Sequence, residues 1–129
     1  MKKIMVPKDY IVFRLTGVYS SDVTDASGMQ FLDLNTRKWS RPLVEKLGLD
    51  YDMLCPIHES MEIVGKTSKD AAIQTGLSIG IPVIAGAGDQ TAAAIGNGIV
   101  HEGIGRINKS WIGRINIPAL SHGRKITTA

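Results

Sequence analysis

The chain has 129 residues, 43% of them hydrophobic, with 15 Lys and Arg against 12 Asp and Glu. That length holds one domain-sized core and not two, and no apolar run approaches the roughly 20 residues of a membrane span. A single cysteine, Cys55, excludes an internal disulfide framework and a cysteine metal cluster, so a reducing cytoplasm is the expected setting. At the N-terminus, "MKKIMVPKDY" meets Pro7, Lys8 and Asp9 before any signal-peptide core could form. Residues 8–16 then place Tyr10, Ile11, Phe13 and Leu15 along a short helix stopped by Gly17, with Tyr10 and Phe13 expected in the core. "VYSSDVTDASGMQFLDL" alternates β-branched with small polar residues and reads as strand or extended loop. "WSRPLVEKLGL" is a short helix with Ser40 as N-cap, Pro42 in the first turn and Gly48 as terminator. "SKDAAIQTGL" repeats that design with Ser68 and Gly76. "IPVIAGAG" is a strand apolar on both faces, expected at the centre of a sheet, and "DQTAAAIGNG" is the helix after it. Interleaved strands and helices make the expected fold class α/β.

The net charge of +3 is not a property of the whole chain. Residues 1–104 carry 10 basic and 12 acidic side chains, whereas residues 105–129 carry Arg106, Lys109, Arg114, Arg124 and Lys125 with no acid. A nucleic-acid partner would have to use that tail, which has one aromatic residue, Trp111, and no regular basic face. Neither nucleic acid nor membrane is an expected partner. His58, His101 and His122 have no metal-ligand spacing, and Cys55 has no nearby base to activate it.

The segment with most chemistry in it is "PVIAGAGDQTAAAIGNG", residues 82–98. A strand leads through a glycine turn into a helix, and ligands gather at the carboxyl ends of strands in α/β proteins. Gly86 and Gly88 permit unusual backbone angles and close approach of a ligand. Asp89 falls at the helix start, where the positive end of the dipole favours a carboxylate. Two roles are open to it on this pattern: helix cap or site residue. Nucleotide fingerprints do not fit. A G-x-G-x-x-G motif would need a glycine where Thr91 stands, and no G-K-[ST] of a P-loop follows.

Two longer stretches carry a resemblance. "PKDYIVFRLTGVYSSDVTDASGMQFLDLNTRKWS" and "GLSIGIPVIAGAGDQTAAAIGNGIVHEG" resemble the first domain of the FGGY carbohydrate kinases, closest to the xylulokinase subgroup with its PKDY, RLTG, SDASG and R-x-WS pattern. "TDASG" stands for SDASG and "GAGDQ" for the usual GGGD followed by Asn or Gln. The match runs over about residues 4–104 without a large gap. It implies part of an actin-like, ribonuclease-H-like ATPase domain and transfer of the ATP γ-phosphoryl group to a sugar hydroxyl, of a ketopentose such as xylulose in the intact relative. The acid of the GGGD turn maps to Asp89 as catalytic base, and Gln90 is placed to hydrogen-bond a substrate hydroxyl. Asp25, with Asp22 beside it, stands in a turn where short acids meet either the sugar or local backbone groups. Trp39 is expected to pack.

ATP and Mg²⁺ belong to the intact family member, and no obvious motif in this chain binds either. The family's D-x-G-T-[ST] phosphate loop and its adenosine-binding second domain have no counterpart in the sequence. After Gly103 the pattern leads to a G-T-S-G turn, whereas the chain continues "IGRINKSWIGRINIPALSHGRKITTA". Similarity and charge balance thus both change near residue 104, giving an expected partial kinase domain over 1–104 and a divergent basic tail over 105–129. For Asn108-Lys109-Ser110-Trp111 the code allows AAT-AAG-TCT-TGG; read one base later these give Ile-Ser-Leu and the start of a glycine codon. A shifted reading frame is therefore the expected origin of the tail. The chain alone is expected to be inactive and to associate through apolar faces left uncovered. A non-catalytic α/β module that keeps the kinase core for packing, sugar binding or a partner is the alternative.

Overall fold

The computed structural model describes residues 2–99, and the chain divides into two compact units after Ala87. The first unit opens with α1 (Pro7–Thr16) and β1 (Ser21–Asp22), followed by α2 (Val23–Gly28) and the strands β2 (Leu32–Asp33) and β3 (Lys38–Trp39). It continues with α3 (Arg41–Lys46), a 3-10 turn (Tyr51–Met53), β4 (Ile57–His58), β5 (Ile63–Lys66), α4 (Lys69–Thr75) and β6 (Pro82–Ile84). The second unit holds α5 (Asp89–Gly96). This mixture of helix and strand is the expected α/β class.

Helix ends follow local chemistry. Pro7 opens α1, where its missing N–H costs nothing, and Gly17 closes it in the left-handed conformation. Ser68 caps α4 through Oγ, which accepts the Ala71 N–H at 3.1 Å, and Gly76 ends it at φ +77°. Ser40 precedes α3 as expected, yet its side chain makes no capping bond; the proline in the first turn sets the entry instead. The stretch expected as strand or loop after Gly17 departs further from its reading. Ser21–Asp22 and Leu32–Asp33 are strand, but Val23 to Gly28 between them form a helix. The Asp22 carboxylate accepts the Thr24 and Asp25 N–H groups at 2.9 and 3.4 Å, and this N-cap overrides the β-branched pattern of Val23 and Thr24.

The core of the first unit forms around Ala26, Trp39, Val44 and Leu54, all buried, with Ile4, Phe31, Leu32, Tyr51 and Ile57 packed against them. Trp39 packs as expected. Its indole N–H donates to the Cys55 carbonyl at 2.7 Å, so its polar edge is satisfied inside the apolar cluster. Arg41 lies over the Tyr51 ring, 4.0 Å from its centroid. Tyr10 corrects its expectation. It is 46% exposed, and its hydroxyl accepts from Arg14 at 3.3 Å. Phe13 is half-buried and stacks on Tyr19 at 4.5 Å.

Three short strand pairs frame this unit: β1 with β4 in parallel, β2 with β3 and β5 with β6 antiparallel. Thr67 ties β5 to β6 beyond their ladder, its Oγ1 accepting from the Ile81 N–H at 2.9 Å and donating to the Ser78 carbonyl at 2.6 Å. The central place expected for β6 is not what it has. Among the described residues it pairs with β5 alone, and Ile81 and Ile84 are each 40% exposed. An apolar run on two faces reports that both need cover; it does not say that the covering strands lie in the same stretch of chain.

Candidate active site

Lys8 sits in the first turn of α1, where the positive end of the helix dipole opposes a cation. Its surroundings explain the placement. Nζ lies 2.9 Å from Asp9 Oδ1, 3.1 Å from Asp22 Oδ1 and 3.6 Å from Asp25 Oδ2, and donates to the Ala85 carbonyl at 2.9 Å. Asp9 and Asp22 are fully buried. Burial pushes the Lys8 ammonium towards deprotonation, but the hydrogen bond and charge of Asp9, and then Asp22, outweigh it and hold its pKa above the usual lysine value. Burial likewise pushes the Asp22 carboxyl up. Hydrogen bonds from the Thr24 side chain and backbone, the Lys8 charge and the Ser60 hydroxyl outweigh that and leave it below the usual range. Asp25 goes the other way. Burial, with the charges of Asp22 and Asp9, raises its pKa despite Lys8.

The same cluster grips the glycine turn. Ala85 N–H donates to the Glu62 carbonyl at 2.9 Å and Gly86 N–H to the Ser60 carbonyl at 3.0 Å. Ser60 gives its hydroxyl to Asp22 Oδ2 at 2.9 Å. Lys8, Asp22, Ser60, Gly86 and Ala85 thus close a ring of ion pairs, hydrogen bonds and covalent backbone. Gly86 has φ +81°, a conformation that favours glycine, and a Cβ there would stand 3.1 Å from Lys8 Cδ, so the lysine stem would have to give way. Gly88 does not share this requirement. At φ −58° and ψ 146° it occupies ordinary extended backbone, so the unusual angle expected of it is absent and its place is that of N-cap.

In the second unit Asp89 is the first residue of α5 and Gly88, not Asp89, is the cap. The exposed Asp89 carboxylate accepts the Gln90 N–H at 2.7 Å, and Gln90 is half-buried. A solvent-facing carboxylate beside first-turn amides is an acceptor that a hydroxyl proton can reach. Of the other residues singled out in the sequence, Asp22 caps α2 and Asp25 joins the Lys8 cluster. Cys55 is buried and its thiol is pushed up by burial and by the Asp9 charge, against the opposing charge of Lys3. His58 pairs with Glu62 at 2.8 Å. Among the described residues no group of three or more His, Cys, Asp or Glu side chains could hold a metal ion, and no helix is long and apolar enough to cross a membrane. The boundary near residue 104, the basic tail, His101 and His122 lie outside the described residues. Lys8, Asp9 and Ser60 are not among the site residues that the sequence points to, and a lysine set against a helix dipole is the available signal.

The N-terminal domain of the FGGY family of carbohydrate kinases matches residues 1–96. The chain is 38% identical over 98 residues to the xylulose kinase of Escherichia coli, covering 76% of this chain and 20% of that one. It is 35% identical over 113 residues to the autoinducer-2 kinase of Salmonella typhimurium, covering 86% and 21%. The crystal structure of Plasmodium falciparum glycerol kinase with ADP superimposes with a TM-score of 0.69 at 25% identity, over 78% of this chain and 20% of that one. The chain therefore spans about a fifth of the length of the relatives it matches. With the family match running over residues 1–96 and the fold that of the actin-like sugar kinases, the chain belongs to the FGGY family of carbohydrate kinases.

Proposed function

We propose that the kinase built on this segment transfers the γ-phosphoryl group of ATP to a hydroxyl of a small sugar, a ketopentose such as xylulose, in the cytoplasm, with Asp89 as the general base. A sugar hydroxyl is a poor nucleophile. As its oxygen forms the bond to phosphorus and the bond from phosphorus to the bridging oxygen of ADP breaks, the hydroxyl proton passes to the Asp89 carboxylate. The observation that carries this reading is the position of Asp89. It opens α5 with an exposed carboxylate, directly after the Gly86-Ala87-Gly88 turn, in a chain of this family. Gln90, next in the same helical turn, is the proposed donor to a second sugar hydroxyl. Asp25 is the third proposed contact; its Oδ2 is already shared with Lys8 at 3.6 Å, so a sugar hydroxyl there would compete with an ion pair. The described residues contain neither a phosphate loop nor a metal cluster, so no group in them is assigned to ATP or Mg²⁺. Residues 1–104 are the proposed extent of the kinase-domain segment, with 105–129 a separate tail.

The test is a chimera in which this segment replaces the matching stretch of the Escherichia coli xylulose kinase. Asp89→Asn keeps the size and the helix-start geometry while removing the basic oxygen. It is expected to keep xylulose binding and to cut kcat by roughly 10²–10⁴-fold. Turnover within about threefold of the parent chimera would return Asp89 to a helix-end role.

A further inference from the structure

We infer that Asn97 is a modification site: its side-chain amide deamidates through the Gly98 backbone nitrogen when the end of α5 opens, and the product keeps that end open. The inference lies wholly within α5 and the residues that follow it, and it does not depend on the role of Asp89. The sequence supplies the reactants. The chain has four asparagines, Asn35, Asn97, Asn108 and Asn116, and only Asn97 is followed by glycine. In this reaction the next backbone nitrogen attacks the side-chain carbonyl carbon, and glycine has no side chain to obstruct the approach. The Gly98 nitrogen gives up its proton and bonds to Asn97 Cγ, while the Cγ–Nδ2 bond breaks and the nitrogen leaves as ammonia. Water then opens the cyclic imide at one carbonyl or the other, giving aspartate or its β-linked isomer, isoaspartate. Water is the one co-reactant.

The structure supplies the gate. Asn97 and Gly98 are both exposed, so water reaches them, yet both reacting groups are tied to the helix. The Gly98 N–H donates to the Ile95 carbonyl at 2.9 Å, and the Ile99 N–H donates to the Ala94 carbonyl at 3.1 Å. With Gly98 at φ +77°, these two bonds form the Schellman closure of a helix C-terminus. The attacking nitrogen is thus turned back onto α5. The leaving group is held as well, because Asn97 Nδ2 donates to the Ala93 carbonyl at 2.6 Å. Attack waits until the last turn unwinds. The same contacts explain why the product does not close again. A carboxylate has no proton to give the Ala93 carbonyl, and its charge meets the negative end of the helix dipole. Isoaspartate lengthens the main chain by one carbon just before Gly98, which takes the Gly98 and Ile99 N–H groups out of register with their acceptors. Ala94 and Ile99 are buried, so loss of the closure also uncovers apolar surface. The helix altered in this way is the one that Asp89 opens.

Three measurements test the inference. The 129-residue chain is incubated near neutral pH, folded and in urea, and each asparagine is followed by peptide mass spectrometry. Asn97 is expected to react first in urea, and at least about 10-fold more slowly in the folded chain. Equal rates in the two conditions, or a faster asparagine elsewhere in urea, overturn the inference. Ala93→Gly loosens the last turn at an exposed position. It is expected to speed the folded reaction about fivefold, the helix-propensity cost of glycine, and to leave the rate in urea unchanged. No acceleration in the folded chain overturns the gate. Asn97→Asp reproduces one product. It is expected to speed hydrogen exchange at the Gly98 and Ile99 amides by about 3- to 30-fold. The Val44 and Leu49 amides, hydrogen-bonded within and just after α3, should stay within about twofold. Unchanged exchange at Gly98 and Ile99, or equal acceleration at all four, overturns the claim that the product holds the helix end open.

Discussion

Lys8 Nζ and the carbonyl oxygen of Ala85 stand 2.9 Å apart although 77 residues separate them in the chain. This contact joins the start of α1 to the residue that follows β6 and makes the conformation of Gly86 a shared concern of both. Gly86→Ala would place a Cβ 3.1 Å from Lys8 Cδ on a backbone at φ +81°. The backbone strain alone is worth about 1–2 kcal/mol, and the lysine stem must shift besides. Loss of at least about 1 kcal/mol in urea unfolding is expected. Gly88→Ser is the contrast. Its φ of −58° is open to any residue and serine is a favoured N-cap, so a change within about 0.5 kcal/mol is expected. Equal losses in both variants would show that the turn does not discriminate between its two glycines.

Asp22 makes stability depend on acid pH. A carboxylate whose folded pKa lies below its unfolded value of 3.8 stabilises the fold at all pH above that value. It loses the contribution as pH falls through the lower folded value. Asp22→Asn retains a capping side chain but gives up the ion pair with Lys8 at 3.1 Å. The expected cost is about 2 kcal/mol between roughly pH 5 and 8, shrinking below about pH 4. Asp25, raised above 3.8 by burial and by the charges of Asp22 and Asp9, has the opposite sign. Asp25→Asn should gain stability relative to the parent as pH rises past 3.8. A cost for Asp22→Asn that stays constant down to pH 3 would remove the linkage.

The helices that begin and end on their own local signals were legible in the sequence. Ser68 and Gly76 bound α4 through contacts within one helical turn, and Pro7 and Gly17 bound α1 in the same way. α2 was not legible, because Val23 and Thr24 read as strand until the Asp22 carboxylate is seen bonding the next two amides. Asp89 was legible as a helix-start acid after a glycine turn, but not that Gly88 would take the cap. The Lys8 cluster was the least visible part. Its members are Asp9, Asp22, Asp25, Ser60 and Ala85, brought together by the fold from separate stretches, and no periodicity or spacing connects a lysine to a carbonyl 77 residues away. The apolar faces of "IPVIA" suggested a central strand, and among the described residues β6 pairs on one side only, because strand pairing depends on partners that local sequence does not encode.

The hydroxyls of Ser20 and Ser21 are buried and, among the described residues, have no hydrogen-bond partner. Burying a hydroxyl unpaired costs free energy that a methyl group in its place does not. Ser21→Ala is therefore expected to leave stability unchanged or to raise it by up to about 1 kcal/mol, measured by thermal or urea unfolding. A loss greater than about 1 kcal/mol would mean that the hydroxyl is hydrogen-bonded in solution.

The β5–β6 pair offers the surface through which the chain is expected to associate with itself. Ile63 and Ile84 face each other in register across the pair, which sets their side chains side by side. They are nevertheless 60% and 40% exposed. Ile73, on α4, and Ile79, in the loop before β6, add exposures of 73% and 65%. Among the described residues β6 has no strand on its far edge, and an uncovered apolar edge is a template for pairing with another chain. Sedimentation of the 129-residue chain is expected to show oligomers growing with concentration over the range of about 1–100 μM. Charge on this strand pair should suppress this, because lysines on an edge block strand addition. Ile63→Lys with Ile84→Lys is expected to move the chain to monomer while changing unfolding free energy by no more than about 1 kcal/mol, since both positions are exposed. A parent chain that stays monomeric across that range, or association untouched by the two lysines, would exclude this strand pair as the contact.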